Sequence, residues 1–292
     1  MTSPQWFDLV ITTEAESRYV KVNDVQIHYL IWGDSKKPCL FFVHGYGANA
    51  HWWDFIAPYF LEEFCVVAID LSGMGDSDHR ETYTQESYCE EMKAVCIDLQ
   101  IPSAYFIAHS LGGAIATKAV SIYPNLFKAL ILVDSVVVVP PDKVRNFAPR
   151  RSMIRQEFFY DSLDKAIQSF RLIPPQPCKN DFILKHIAEN SFKKSENKWV
   201  LKSDGLIMKT YNPQDLTDIF MNVKCPIYIV YGLMSQIFSK ELLDYTVYVG
   251  NIPPERVVGI PSAMHHLFID QPLKFIEEIK QILKKESLND KD

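Results

Sequence analysis

Apolar residues along this chain fall into short runs separated by turn-forming and helical segments, and the runs are of two kinds. Residues 38–43, 65–69, 105–109, 129–133 and 227–231 are apolar or aromatic at nearly every position. Successive side chains of a strand point to opposite faces, so an unbroken apolar run predicts a strand covered on both sides, the habit of a parallel sheet. Residues 19–22 and 25–31 are strand-like segments split by Asn23-Asp24, a good two-residue turn, and they predict an antiparallel hairpin at the start. A last short run lies at 256–260.

Between the runs the period changes. Tyr88, Met92, Val95, Cys96 and Leu99 recur at helical spacing, which predicts an amphipathic helix between residues 84 and 100. Residues 52–60 read as another helix, and a third follows residue 110 until Pro124 stops it. A final amphipathic helix carries Leu273, Ile276, Ile279, Ile282 and Leu283, and the polar tail from Glu286 is expected to fray. Strand and helix alternate, which predicts a parallel sheet with crossover helices.

The alternation breaks once. From residue 136 to 223 the chain carries Pro140-Pro141, the basic positions Arg145, Arg150, Arg151 and Arg155, and the block Pro174-Pro175-Gln176-Pro177. This predicts a core domain made of residues 1–135 and 224–292 and an inserted lobe of residues 136–223. Phe147, Phe158, Phe159, Phe170, Phe182, Phe192 and Trp199 either wall an apolar acyl or aryl cleft in that lobe or form its own core. Arg150, Arg151 and Arg155 either grip an anionic substrate group or belong to a solvated helix face. No internal repeat is present.

Composition narrows the class of partner. A chain of 292 residues that is 48% hydrophobic can bury one large core and still carry an inserted lobe. A formal charge of −6 without a Lys/Arg-rich run leaves no electrostatic footprint for nucleic acid or an anionic membrane. The six cysteines are irregularly spaced, Cys39, Cys65 and Cys225 lie beside strand-like runs, and no C-x-x-C pair occurs. They read as small buried hydrophobes and suggest a reducing compartment. Residues 1–19 lack an apolar export core, and nowhere do eighteen apolar residues follow one another. The expectation is a cytoplasmic protein without a membrane span.

Candidate chemistry centres on residues 104–116. An apolar and aromatic run stops at Ser110, and an Ala- and Gly-rich helical segment begins at once. In a strand, turn and helix of this kind the serine sits at a strained apex with its hydroxyl projecting from the sheet, and the following helix aims its positive end at it. Close strand-helix approach needs small residues two places either side, which Ala108 and Gly112 supply. The alternative is a serine that merely caps a helix.

Four short patterns now stand in order at strand ends: His44-Gly45-Tyr46-Gly47, Asp70-x-x-Gly73-x-Gly75-x-Ser77, the Ser110 turn, and His265-x-x-x-x-Asp270-x-Pro272. Together they resemble the α/β-hydrolase family, over nearly the whole chain apart from the lobe. The resemblance implies an α/β fold with a mostly parallel eight-stranded sheet, helices on both faces and an inserted helical cap. It implies Ser110 as nucleophile, His265 as base, and the backbone N–H groups of Tyr46 and Leu111 as oxyanion hole. A serine needs such a base and such a hole, because its hydroxyl is a poor nucleophile at neutral pH. His266 falls one place off the family spacing. His44 and His109 read as packing or pocket residues, and His51 as a surface residue.

The acid departs from the family pattern. Its usual place, three residues past Gly232, is held by Ser235, which carries no charge to orient an imidazole. Some members carry the acid one strand earlier, which here is Asp134. Neighbouring parallel strands lie only about 5 Å apart, so a carboxylate there can reach the same histidine. Asp134 is therefore the expected acid, with Glu241 and Asp215 as fallbacks and helix capping or lobe anchoring as the plainer role. Asp70, Gly73, Gly75 and Ser77 read as turn chemistry that shapes a neighbouring loop, and Asp76 and Asp78 as local charge without an evident role.

The implied function is a serine hydrolase that cleaves a small carboxylic ester through an acyl-enzyme on Ser110. Thioesters, or a carbon-carbon bond beside a carbonyl, fall within the same machinery. Epoxide and haloalkane hydrolysis in the family use a carboxylate nucleophile, against which Ser110 speaks. No metal or organic cofactor is implied. The alternative is a member of the fold kept as a small-molecule binder with weak or lost turnover, a reading fed by Ser235.

Overall fold

The computed structural model describes residues 3–143 and 158–289. A short helix α1 (Gln5–Val10) precedes strands β1 (Glu16–Val22) and β2 (Val25–Trp32). These form the expected hairpin: Asn23 and Asp24 both take positive φ, 49° and 66°, as a two-residue turn between twisted strands requires. There follow β3 (Cys39–Val43), β4 (Cys65–Ile69), α2 (Gln85–Asp98), β5 (Ala104–His109), α3 (Leu111–Ile122) and β6 (Phe127–Val133).

The sheet resumes only at β9 (Ile227–Gly232) and β10 (Val257–Ile260), which enclose α8 (Lys240–Gly250); α9 (Leu267–Asp270) and α10 (Pro272–Asn289) close the chain. Between β6 and β9 the described residues hold α4 (Leu163–Ser169), α5 (Asp181–Asn190), β7 (Phe192–Ser195), β8 (Lys198–Leu201), α6 (Ile207–Thr210) and α7 (Thr217–Met221). None of these joins the main sheet, whose order is β1-β2-β4-β3-β5-β6-β9-β10. β2 is antiparallel to both its neighbours, and the other pairs are parallel.

The unbroken apolar runs are buried on both faces. Leu40, Phe42, Val66, Tyr105 and Ile107 pack on one side with Trp53, Phe268 and Phe275. Phe41, Val43, Val67, Phe106 and Ala108 pack on the other with Tyr88, Met92, Ile115 and Val120. A fully buried side chain of this size contributes roughly 1.5–3 kcal/mol, so these alternating sets fix the register of the central strands. No helix of the described residues is long and apolar enough to cross a membrane. The six cysteines are free thiols, four of them buried.

Several expectations are corrected. Residues 52–60 form no α-helix but two 3-10 turns, Ala50–Trp53 and Ala57–Phe60, the second opening with Pro58 at its start. The lobe is not wholly helical, because β7 and β8 pair antiparallel across a turn in which Glu196 takes φ 53°. The tail does not fray at Glu286, which is buried and accepts a 2.6 Å hydrogen bond from the Tyr228 hydroxyl. His51 is not a free surface residue: its Nδ1 lies 2.9 Å from Asp54, which also takes His186 Nε2 at 2.8 Å and so ties the lobe to the core. Asp76 pairs with Lys202 at 2.7 Å, and Asp78 accepts the Gln26 N–H at 2.9 Å. Arg145, Phe147, Arg150, Arg151 and Arg155 lie outside the described residues.

Candidate active site

The three expected groups come from the loops that follow the C-terminal ends of β5, β6 and β10. Ser110 stands between β5 and α3 at φ 53° and ψ −118°. Such a conformation costs an L residue of order 1–3 kcal/mol and persists only where the surroundings enforce it. Here they do: the Ser110 N–H donates to the Val133 carbonyl at 3.1 Å, and the Ser110 carbonyl accepts the Gly113 N–H at 3.0 Å. The packing leaves no room for side chains. A Cβ on Gly112 would meet the His44 carbonyl oxygen at 2.6 Å, and one on Gly45 would meet Ser110 Cβ at 3.0 Å.

His265 Nε2 lies 2.9 Å from Ser110 Oγ, and its Nδ1 lies 2.7 Å from Asp134 Oδ1. The imidazole is 3% exposed and Asp134 is fully buried, whereas Ser110 is half-buried. An Nδ1–H held by the carboxylate leaves the Nε2 lone pair facing the hydroxyl, which is the arrangement that lets an imidazole take a serine proton. Asp134 follows β6 directly at φ 45°. Its other oxygen accepts the Gly232 N–H at 3.0 Å, and Oδ1 also accepts the Ser235 hydroxyl at 2.7 Å. The fallback carboxylates are engaged elsewhere: Asp215 accepts from Thr217, and Glu241 pairs with Lys143 at the surface.

The oxyanion candidates lie in the same corner. Leu111 is the first residue of α3, so its N–H has no carbonyl partner within the helix and sits at the positive end of the helix dipole. Tyr46 belongs to the loop that Gly45 presses against Ser110. His44 holds that loop, donating from Nδ1 to the Gly45 carbonyl at 2.7 Å and accepting the Leu71 N–H on Nε2 at 3.1 Å.

Neighbouring imidazoles pack around His265, the candidate base. His109 Nε2 donates to the His265 carbonyl at 3.1 Å. Burial, with the nearby His265 and His266 rings, pushes His109 well below the usual imidazole range, and burial with His265 does the same to His266. Among the described residues His109, His265 and His266 offer nitrogens within 4.8 Å of one another, as His28, Asp70 and Asp76 offer ligand atoms. His265 already uses both nitrogens in the relay, and His28 uses both on Ser17 and Asp70, so a metal at either cluster would displace an existing hydrogen bond.

One participant escaped the sequence pattern. Gln176, in the lobe, accepts from the His266 N–H at 3.0 Å and from its Nδ1 at 2.9 Å, and donates to both Asp270 oxygens at 3.0 Å. Asp270 in turn accepts the Met264 N–H at 2.7 Å, and burial raises its carboxyl above the usual range. The lobe phenylalanines divide. Phe158, Phe159, Phe170 and Phe192 line a cavity of about 380 Å³ together with Arg171 and Lys193, and no triad candidate lines it. Phe182 instead packs on Trp6 and Phe7 of α1.

A family profile described as alpha/beta hydrolase fold matches residues 38–170. The solved structure of E-2-(acetamidomethylene)succinate hydrolase superposes with a TM-score of 0.80 at 21% identity, over 93% of this chain and all of that one. The chain has the α/β-hydrolase fold. It is 26% identical over 256 residues to the pimeloyl-[acyl-carrier protein] methyl ester esterase of Wigglesworthia glossinidia brevipalpis, covering 84% of this chain and 93% of that protein. It is also 32% identical over 119 residues to epoxide hydrolase 1 of Caenorhabditis elegans, but there it spans only 30% of the relative and 40% of its own length.

Proposed function

We propose that this chain hydrolyses a small carboxylic ester through an acyl-enzyme on Ser110. One observation above all supports the reading: a hydroxyl, an imidazole and a carboxylate hydrogen-bonded in series at 2.9 Å and 2.7 Å. His265 Nε2 takes the Ser110 proton as Oγ bonds to the carbonyl carbon, and the carbonyl oxygen becomes an oxyanion facing the N–H groups of Leu111 and Tyr46. The imidazolium gives that proton to the departing alkoxide, the C–O bond breaks, and an alcohol leaves. Water then repeats the cycle on the acyl-serine, releasing the acid and restoring Ser110. Asp134 holds His265 in the required tautomer throughout. The esterase named above, matched over most of both chains, lends support to an ester as substrate. The epoxide hydrolase match is partial, and a serine stands where the family's epoxide-opening members use a carboxylate.

A fluorophosphonate probe on the purified full chain tests the proposal. We expect one covalent adduct, on Ser110, absent from Ser110→Ala and from His265→Ala, with p-nitrophenyl acetate turnover lost in parallel. A folded wild-type protein that neither labels nor turns over the ester would overturn the reading in favour of a non-catalytic binder.

A further inference from the structure

The relay contains a fourth group whose contacts go beyond packing. Ser235 lies in the loop after β9, and its hydroxyl donates at 2.7 Å to Asp134 Oδ1, the same oxygen that receives the Nδ1–H of His265. Its own oxygen is fixed in turn, because it accepts the Ile237 N–H at 3.3 Å and the Phe238 N–H at 3.1 Å. A hydroxyl whose acceptor side is filled by two backbone donors has its proton left to give, and the nearest acceptor is the Asp134 carboxylate. Gly232 N–H clamps the other carboxylate oxygen at 3.0 Å. The carboxylate is therefore gripped at one oxygen by the last residue of β9 and at the other by the loop after it, although its own backbone follows the end of β6.

From this we infer that Ser235 is a positioning residue, which sets the orientation of the Asp134 carboxylate and through it the imidazole of His265. The inference rests on Ser110 and His265 being nucleophile and base. The geometric ground is direct: Ser235 Oγ lies within hydrogen-bond distance of the same carboxylate oxygen that holds Nδ1.

Two variants test it on the full chain. Ser235→Ala should lower kcat roughly 10- to 100-fold with KM little changed, the scale expected when an oriented catalytic group loses its support. Ser235→Thr, which keeps the hydroxyl, should restore most of that loss. A second readout needs no turnover: the low-field proton resonance of the His265 Nδ1–H should be sharp in wild type, broadened by exchange in Ser235→Ala, and recovered in Ser235→Thr. If wild type is active but Ser235→Ala matches it in both kcat and resonance, the positioning role is wrong while the hydrolase reading stands. If wild type is inactive the hydrolase reading is wrong, and the resonance alone decides whether Ser235 orients the pair.

Discussion

Two serine, histidine and aspartate chains run through this molecule with the same spacing. In one, Ser110, His265 and Asp134 are linked at 2.9 Å and 2.7 Å; in the other, Ser17, His28 and Asp70 are linked at 2.9 Å and 2.7 Å. Their surroundings differ. Ser110 stands on a strained turn at the start of a helix, beside a loop held against it. Ser17 is exposed in β1, the edge strand of the sheet, where extended backbone presents no helix terminus to a developing oxyanion. The two acids differ as well. Asp70 spends its carboxylate on the Ala50 N–H at 2.6 Å and the Asp76 N–H at 2.8 Å, besides His28, so it ties the loop after β4 to the hairpin. Equal distances thus accompany unequal chemistry, and the backbone around the serine makes the difference.

The sharpest way to break this contrast is to neutralise each acid. Asp134→Asn should reduce kcat by about 10⁴-fold, since an amide holds the imidazole without stabilising its charged form. Asp70→Asn should leave the kcat of folded protein unchanged and instead cost about 3 kcal/mol in urea unfolding, because it uncouples a buried, hydrogen-bonded pair. An Asp70→Asn variant with normal stability and lost turnover would reverse the assignment of the two chains.

Acid titration of stability separates the same regions with a smaller effect. His109 and His266 are held below the usual imidazole value of 6.5 by burial, so their contribution is full above that value and is lost as pH falls beneath it. The loss is as much as about 1.4 kcal/mol per pH unit for each ring. Asp70 behaves differently. Burial alone would raise its carboxyl, but the His28 hydrogen bond and charge outweigh this and hold it below the usual carboxylate range. Its contribution is therefore full above that range and disappears only in stronger acid. The expected melting curve shows an early decline below about pH 6.5 from the imidazoles beside Ser110 and a later one below about pH 4 from the Asp70 tie. The smallest effect is the most specific: Ser17→Ala should change ester turnover and fluorophosphonate labelling by less than about twofold, because a surface hydroxyl bond contributes little.

Much of this was legible in the chain because the core strands are apolar on both faces and end in residues of distinctive chemistry. His44, Asp70, Ser110, Asp134 and His265 all stand at or just beyond strand ends, where period and turn signals agree. Asp134 entered as a candidate through the family resemblance, which offers the end of the preceding strand where Ser235 lacks a charge. The bond between those two was not legible, since it depends on how the loop after β9 folds back onto β6. Gln176 was hidden for another reason. It lies among prolines in the lobe, where no periodicity marks which side chain turns inward, and its partners are about 90 residues away. The turns at 50–60 were misread as a helix because Trp52, Trp53, Phe55 and Phe60 are buried as a cluster rather than along one helical stripe.

Gln176 carries a consequence for how substrate is admitted. It grips His266, the residue next to the base, and Asp270, which holds the backbone just before it. At this corner the lobe holds the loop through two amides, because Asn180 also donates to the Ile269 carbonyl at 2.7 Å and to the Asp270 carbonyl at 3.3 Å. Lifting the lobe here would break contacts on both sides of His265, so on the proposed mechanism the cover and the base are mechanically linked.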